Sequence, residues 1–200
     1  MNLSKLQYLD LSYNQINEFP KEVGTITESL ETLILKANFS APYNHKINKM
    51  PQSISSFKNL KKLSLQDQVY EFLPDDFWTN LTKLEDLNLM GALLQEVPAG
   101  IQNFKNLKNL NLKANEIKKI SKSIIRLENL ESLNISFNPG MNSSEVLETL
   151  KLISSLKHLN ISFNNIFRRQ IEAFAQERPY LKIIKLETKD SPAYERPRKN

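Results

Sequence analysis

The chain has 200 residues, with 27 lysines and arginines against 22 aspartates and glutamates, so its formal net charge is +5. It contains no cysteine and only 4 isolated glycines, which excludes disulfides, thiol catalysis, glycine-rich phosphate loops and the nucleophile elbow. The longest apolar stretch, residues 89–94, is far shorter than the ~20 residues of a membrane-spanning helix. No signal peptide is visible, so we expect a soluble chain that does not insert into membranes.

One apolar pattern recurs along the chain. The pattern L-x-x-L-x-L begins at Leu6, Leu30, Leu60, Leu84, Leu107, Leu130 and Leu156 and, in the form L-x-x-I-x-L, at Leu181. The intervals are 24, 30, 24, 23, 23, 26 and 25 residues. The leucines alternate as in a short strand, and so short a strand is stable only when it stacks on others. We therefore predict stacked units from about Leu3 to Leu186, each adding one strand to a parallel sheet.

An asparagine that follows the strand recurs in five units. These residues are Asn14, Asn38, Asn115, Asn138 and Asn164. At such corners backbone groups turn inward and need a buried hydrogen-bonding partner, so we predict a structural asparagine ladder. Because Gln68 and Ala92 interrupt the ladder, we expect weaker backbone pairing in the third and fourth units, unless water or a shifted turn replaces the amide. Irregular backbone is also expected around Gly91 and Gly140.

The second half of each unit predicts the connections between strands. An apolar residue followed by proline recurs at residues 19–20, 50–51, 73–74 and 97–98. Proline favours extended arms or short turns at these points. Later units differ, because helical spacing appears at Val146, Leu147, Leu150 and Ile153 and again at Ile171 and Phe174. We expect extended or 3-10 connections early in the chain and α-helices near its C-terminus.

The repeated residues resemble the leucine-rich repeat family. The signature L-x-x-L-x-L-x-x-N-x-L is matched by LQYLDLSYNQI at 6–16, LKNLNLKANEI at 107–117 and LKHLNISFNNI at 156–166. The return arm looks like the class of about 23 residues that occurs in intracellular signalling scaffolds and many bacterial repeat proteins. The resemblance implies an α/β solenoid, a curved horseshoe with the parallel sheet on its concave face. We expect one solenoid of about eight repeats over residues 1–190 and a polar, basic tail over 191–200.

The residues between the leucines should line the concave face in columns. Phe137 and Phe163 are expected to be adjacent, flanked by Asn134, Asn160 and His158, which is the composition of a protein-binding hot spot. The alternative is that each ring packs on its own repeat as a structural variant. The full set of predicted partner-binding residues is Tyr8, Asp10, Tyr13, Lys36, Gln66, Asp86, Asn88, Met90, Asn109, Asn111, Lys113, Asn134, Phe137, His158, Asn160 and Phe163.

The long second unit carries about seven extra residues after Asn38. Its Tyr43, His45 and Lys46 could contact a ligand from one rim of the solenoid, but a tolerated surface insertion is the simpler interpretation, because lengthening a loop costs little. His45 and His158 are far apart in the sequence and lack neighbouring acidic ligands, so we expect no metal, no cofactor and no catalytic site.

The resemblance implies a non-catalytic scaffold that binds a protein or peptide on the concave sheet. An alternative is the recognition segment of a larger signalling enzyme or surface receptor. Binding to nucleic acid or to an anionic surface is less favoured, because the basic charge is diluted by glutamates. The first unit has no visible N-terminal cap, so its edge is a candidate for self-association. The resemblance mildly favours the cytoplasm, while a cell-surface or extracellular location stays open.

Overall fold

The computed structural model describes residues 3–14, 26–36, 52–67, 75–141 and 144–185. Within these ranges eight strands pair in chain order to form one parallel sheet. They are β1 (Tyr8–Asp10), β2 (Thr32–Ile34), β3 (Lys62–Ser64), β4 (Asp86–Asn88), β5 (Asn109–Asn111), β6 (Ser132–Asn134), β7 (His158–Asn160) and β8 (Lys182–Ile184). The architecture is the α/β solenoid that the repeat predicts.

The central residue of each strand points into the core. Leu33, Leu63, Leu87, Leu110, Leu133 and Leu159 are no more than 2% exposed, and each pairs with its equivalent on the adjacent strand. Burying one leucine contributes about 1.5–3 kcal/mol. The stacked leucines therefore supply much of the energy that holds neighbouring units together.

The connections change along the chain in the predicted direction. The second, fourth and fifth units have 3-10 segments at Gln52–Ser56, Ala99–Asn103 and Lys122–Arg126. The later connections are the α-helices α2 (Ser144–Lys151) and α3 (Arg168–Glu177). Their predicted apolar faces are buried, which confirms the helical interpretation of both segments.

The third unit departs from this prediction, because its connection contains the α-helix α1 (Asp75–Asn80). The helical turn lets two consecutive aromatic residues, Phe77 and Trp78, enter the core together. The ring centroid of Trp78 lies 4.9 Å from that of Phe77 and 5.4 Å from that of Phe104. An extended arm would point consecutive side chains in opposite directions and could not bury both.

Asn115 connects two successive turns of backbone. Its Oδ1 accepts hydrogen bonds from the N–H groups of Ala92 and Leu94, both at 3.0 Å. Its Nδ2 donates to the carbonyl oxygens of Leu89 at 3.0 Å and Leu112 at 2.9 Å. One buried carboxamide thus pairs the strand end of its own unit with that of the preceding unit.

The other ladder residues differ in burial. Asn138 is fully buried and makes the equivalent contacts, while Asn164 is half-buried and accepts from the Asn138 N–H at 2.7 Å. Asn14 is exposed, contrary to the prediction, because β1 has no described strand on its outer side. Asn38 lies outside the described residues.

The prediction of weaker pairing around Ala92 was wrong. The interstrand N–H to O distances there, from β3 through β5, run from 2.7 to 3.0 Å, close to the 2.7 to 2.9 Å between β5 and β7. The reason is that each ladder carboxamide reaches back to the preceding unit, so Asn115 satisfies the Ala92 N–H. Gln68 lies outside the described residues.

The last strand is shifted by one residue from the predicted register. Ile183 pairs with Leu159, and Ile184 pairs with Asn160. Ile184 is consequently 45% exposed on the sheet surface, where the repeat pattern had placed Lys185. A one-residue shift moves every side chain of a strand to the opposite face, and two adjacent isoleucines make both registers compatible with the sequence.

Candidate functional site

The parallel register arranges the outward side chains of the sheet in columns. One column runs through Tyr8, Thr32, Lys62, Asp86, Asn109, Ser132, His158 and Lys182, and the next runs through Asp10, Ile34, Ser64, Asn88, Asn111, Asn134, Asn160 and Ile184. A shallow groove of about 420 Å³ lies over β2 to β6, between these columns. The structure therefore brings most of the predicted partner-binding residues onto one continuous surface.

Four asparagines on β4 to β7 form what we call the amide row: Asn88, Asn111, Asn134 and Asn160. In each one, Oδ1 accepts the backbone N–H of the residue two positions later, at 3.1 Å. The carboxamide oxygen is thereby committed to the chain. The amide nitrogen of Asn88 donates to the Ser64 hydroxyl at 3.3 Å, whereas those of Asn111, Asn134 and Asn160 have no hydrogen-bond partner among the described residues.

Phe137 and Phe163 form a second feature, the ring pair, at the C-terminal edge of the same surface. Their ring centroids lie 4.2 Å apart with planes inclined by 33°. Phe137 is 41% exposed, and the Lys113 ammonium lies 5.0 Å from the centre of its ring. The predicted proximity of the two rings is confirmed, and the rings pack against each other while remaining open to solvent.

The ring pair stands on left-handed backbone. Phe137 and Phe163 have φ of +58°, and the equivalent Ala114 and Gly91 have +55° and +69°. Gly91 itself therefore shares the regular conformation of this position, and the irregularity expected around it lies two residues later, at the additional left-handed residue Leu93 (φ +54°). The left-handed region costs a residue with a side chain roughly 1–2 kcal/mol. The sequence alone gave no sign of this.

The profile of leucine-rich repeat regions matches residues 1–169 of the sequence. The chain belongs to the leucine-rich repeat family. Among curated proteins, no sequence matches the chain significantly.

Solved leucine-rich repeat structures share this fold. A Leptospira interrogans leucine-rich repeat protein is similar over 94% of this chain and 51% of its own, with 23% identity and a TM-score of 0.67. Internalin C2 of Listeria monocytogenes is similar over 90% of this chain and 72% of its own, with 18% identity and a TM-score of 0.69. Internalin F of the same organism aligns over 92% and 56%, with 18% identity and a TM-score of 0.63. The chain thus spans about half the length of the Leptospira protein.

Charged pairs line one edge of this leucine-rich repeat sheet, a feature missed in the sequence. Lysine ammonium and glutamate carboxylate atoms lie 2.9 Å apart in Lys61–Glu31, 2.7 Å in Lys108–Glu85 and 2.8 Å in Lys157–Glu131. The hydrogen bond from its lysine lowers the pKa of Glu85, and the same cause lowers that of Glu131. The alternating charge of the residue that follows the first leucine of each repeat could have revealed this edge.

The N-terminal part of the concave surface carries two exposed tyrosines beside an aspartate and a lysine. The Ser12 hydroxyl and backbone N–H donate to Asp10 and lower the pKa of its carboxyl group. The Lys36 ammonium lies 5.5 Å from the centre of the exposed Tyr13 ring, and its hydrogen bond with Tyr13 raises the lysine pKa. Tyr8 is 56% exposed, beside Asp10.

Three more of the predicted partner-binding residues lie in the described part of the chain. The Gln66 amide donates to the carboxylate of the neighbouring Asp67 at 2.9 Å. The Asp86 carboxylate accepts from the Asn109 amide, and its Oδ2 lies 3.5 Å from the Lys62 ammonium. Met90 is half-buried. Tyr43, His45 and Lys46 lie outside the described residues. Within the described part of the chain, no three histidine, aspartate or glutamate side chains are grouped closely enough to hold a metal ion. No helix in those ranges has the length and apolarity needed to cross a bilayer.

Proposed function

We propose that this chain is a non-catalytic scaffold that binds a polypeptide partner on the concave surface of its sheet. Leucine-rich repeat domains commonly mediate protein–protein interaction through such surfaces. The observation that carries the proposal is the ring pair. Phe137 stays exposed and Phe163 half-buried beside the amide row, although the left-handed backbone of both would be less strained with glycine.

The geometry favours binding over a purely structural role for the rings. Packing within one repeat does not require an aromatic side chain at this position, because Gly91 and Ala114 occupy it in the fourth and fifth units without breaking the sheet. Exposed aromatic residues surrounded by hydrogen-bonding side chains are typical of binding hot spots. The adjacent amide row provides such groups.

The test is replacement of both Phe137 and Phe163 by alanine. Peptides are first selected from a display library on the immobilised wild-type protein, and their affinities are then measured for both proteins. We expect a loss of at least about 2 kcal/mol in binding, roughly thirtyfold. The free energy of unfolding should fall by about 2–4 kcal/mol, which is the value of the aromatic pair plus the burial of the covered part of both rings.

The matched control replaces Phe167 and Tyr180, which are 64% and 97% exposed and lie outside the strands of the sheet. This variant should bind the selected peptides as the wild type does. Unchanged binding by the ring-pair variant would show that the concave surface is not the binding site.

The alternative is that these repeats are the recognition segment of a larger signalling enzyme or surface receptor. The chain spans about half of the Leptospira protein and 56% of internalin F, which makes this worth testing. The concave site would be the same in that case. The complete open reading frame distinguishes the two proposals.

A further inference from the structure

The amide row presents hydrogen-bond donors and keeps its acceptors for the chain. Each Oδ1 is engaged by a backbone N–H, and the Asn134 Oδ1 also accepts from the Ser136 hydroxyl at 2.7 Å. Within the described residues, Asn111, Asn134 and Asn160 make no hydrogen bond through Nδ2. The Asn88 Nδ2 donates to the Ser64 hydroxyl at 3.3 Å. Adjacent strands lie about 4.8 Å apart, so the three amides on β5 to β7 form a line of donors roughly 10 Å long. A ligand along this line must supply acceptors.

The charges around the row select the type of acceptor. On the concave side of β5 to β8, the described basic residues are Lys108, Lys113, Lys157 and Lys182. Glu131 is the acidic residue among the described residues of this region, and it is paired with Lys157. Since Lys108 is paired with Glu85, Lys113 and Lys182 remain to attract an anion.

The N-terminal half of the surface has the opposite balance. Acidic residues outnumber basic ones among its described residues. The acidic residues are Asp10, Glu31, Asp67, Glu85 and Asp86, and the basic ones are Lys36, Lys61 and Lys62. An acidic ligand is therefore repelled from β1 to β4 and attracted to β5 to β8. Electrostatic complementarity of this kind sets specificity and register.

We propose that the partner segment on β5 to β8 is an acidic peptide, whose carboxylates accept hydrogen bonds from the amide row while an apolar side chain packs on the ring pair. This inference rests on the proposed function and specifies the chemistry of its ligand. A peptide fits better than a nucleic acid, because non-specific nucleic-acid binding relies on neutralising several phosphates. Here two lysines are free of acidic partners within the described part of the site.

The probe is an array of random-sequence peptides of about ten residues, roughly 33 Å when extended. Peptides rich in aspartate and glutamate are expected to bind best. The variant Asn134→Asp with Asn160→Asp keeps an oxygen for the Ser136 and Ser162 N–H groups but replaces each donor by a negative charge. Its affinity for the best acidic peptide should fall at least about tenfold.

The control carries the same change in charge elsewhere. Asn103→Asp with Gln176→Glu alters exposed residues of a 3-10 segment and of α3, away from the strands. This variant should lose less than about twofold in affinity, whereas an equal loss in both variants would reduce the effect to net charge and overturn the proposal. An oligothymidylate of similar length serves as the nucleic-acid arm. Tighter binding of that oligonucleotide than of the best acidic peptide also overturns it.

The outcomes separate this inference from the proposed function. If neutral or basic peptides bind best and the ring-pair variant loses them, the concave site stands and the acidic partner is wrong. If the ring-pair variant binds every peptide as the wild type does, both proposals fail. Preferential loss of acidic peptides in the Asn134→Asp, Asn160→Asp variant supports both.

Discussion

Replacing Asn115 by alanine should destabilise the protein more than any change at an exposed asparagine. The side chain is 4% exposed and makes hydrogen bonds in both directions between the fourth and fifth units. Its removal leaves the N–H groups of Ala92 and Leu94 and the carbonyl of Leu89 without this partner. Each buried polar group left unsatisfied costs about 1–3 kcal/mol.

The expected total follows from these three groups. Leu94 is half-buried, so water can replace part of the lost bonding there. We expect Asn115→Ala to lower the free energy of unfolding by about 3–5 kcal/mol, which is large beside the total of about 5–15 kcal/mol for a folded domain. At this chain length the melting temperature should fall by about 6–20 °C.

The assay is urea unfolding followed by circular dichroism, combined with amide hydrogen exchange. The exchange rates at Ala92 and Leu94 should rise more than those at the paired strand positions of β6 and β7. The matched control is Asn14→Ala, at the equivalent but exposed position of the first unit, which should cost about 1 kcal/mol or less. Equal destabilisation by the two substitutions, or unchanged exchange at Ala92, would refute the reasoning.

Three further predictions follow from the contacts. A Cβ at Gly100 would collide with the ring of Trp78, the single tryptophan of the chain. Gly100→Ala should therefore lower the free energy of unfolding in urea by about 1–3 kcal/mol and shift the fluorescence emission of Trp78. Unchanged emission and stability would contradict this prediction. Arg178 donates to the carbonyls of Lys151 at 2.8 Å and Ile153 at 3.0 Å. Arg178→Ala should therefore lower the free energy of unfolding in urea by about 2–3 kcal/mol. Arg178→Lys should restore only part of it, and full stability of the lysine variant would show that the planar guanidinium is not needed. The pKa of Glu85 is lowered in the folded chain, so its carboxylate stabilises the fold above the ordinary pKa of 4.5, and this stabilisation is lost as the pH falls through the folded-state pKa. Glu85→Gln should therefore reduce the fall of the melting temperature at acid pH. The control Glu128→Gln, at an exposed position, should leave that fall unchanged.

The strand register was predictable wherever only one register buries the apolar residues of the strand. In LKNLNL the leucines alternate with polar residues, so a shift by one residue would expose the leucines and bury asparagine. In LKIIKL that constraint is weaker, because Ile183 and Ile184 are both apolar, and the strand takes the register that repetition did not predict. Pattern matching thus succeeds to the extent that the alternative register is costly.

Contacts between units were harder to predict than contacts within them. A second set of side chains at the strand entrances illustrates this: Asn59, Asn106 and Asn129 donate to the carbonyls of Glu28, Thr82 and Lys105 at 2.6 to 2.8 Å. The repeated dipeptide Asn-Leu at 59–60, 106–107 and 129–130 carries this information. The partner carbonyls, however, belong to the preceding unit, and the sequence gives no distance across that boundary.

One position after each strand has a left-handed backbone, and at the candidate site it is occupied by Phe137 and Phe163. This conformation is imposed by the turn after each strand, and Gly91 shows the residue that meets this requirement at the lowest conformational cost. Phe137 and Phe163 accept the same backbone with large rings that stay partly exposed. Their mutual contact returns about 0.5–1.5 kcal/mol beyond the burial of their surface, against roughly 1–2 kcal/mol of strain at each residue. In the free chain part of the ring surface stays in water, and a partner that covers it would add to the stabilisation.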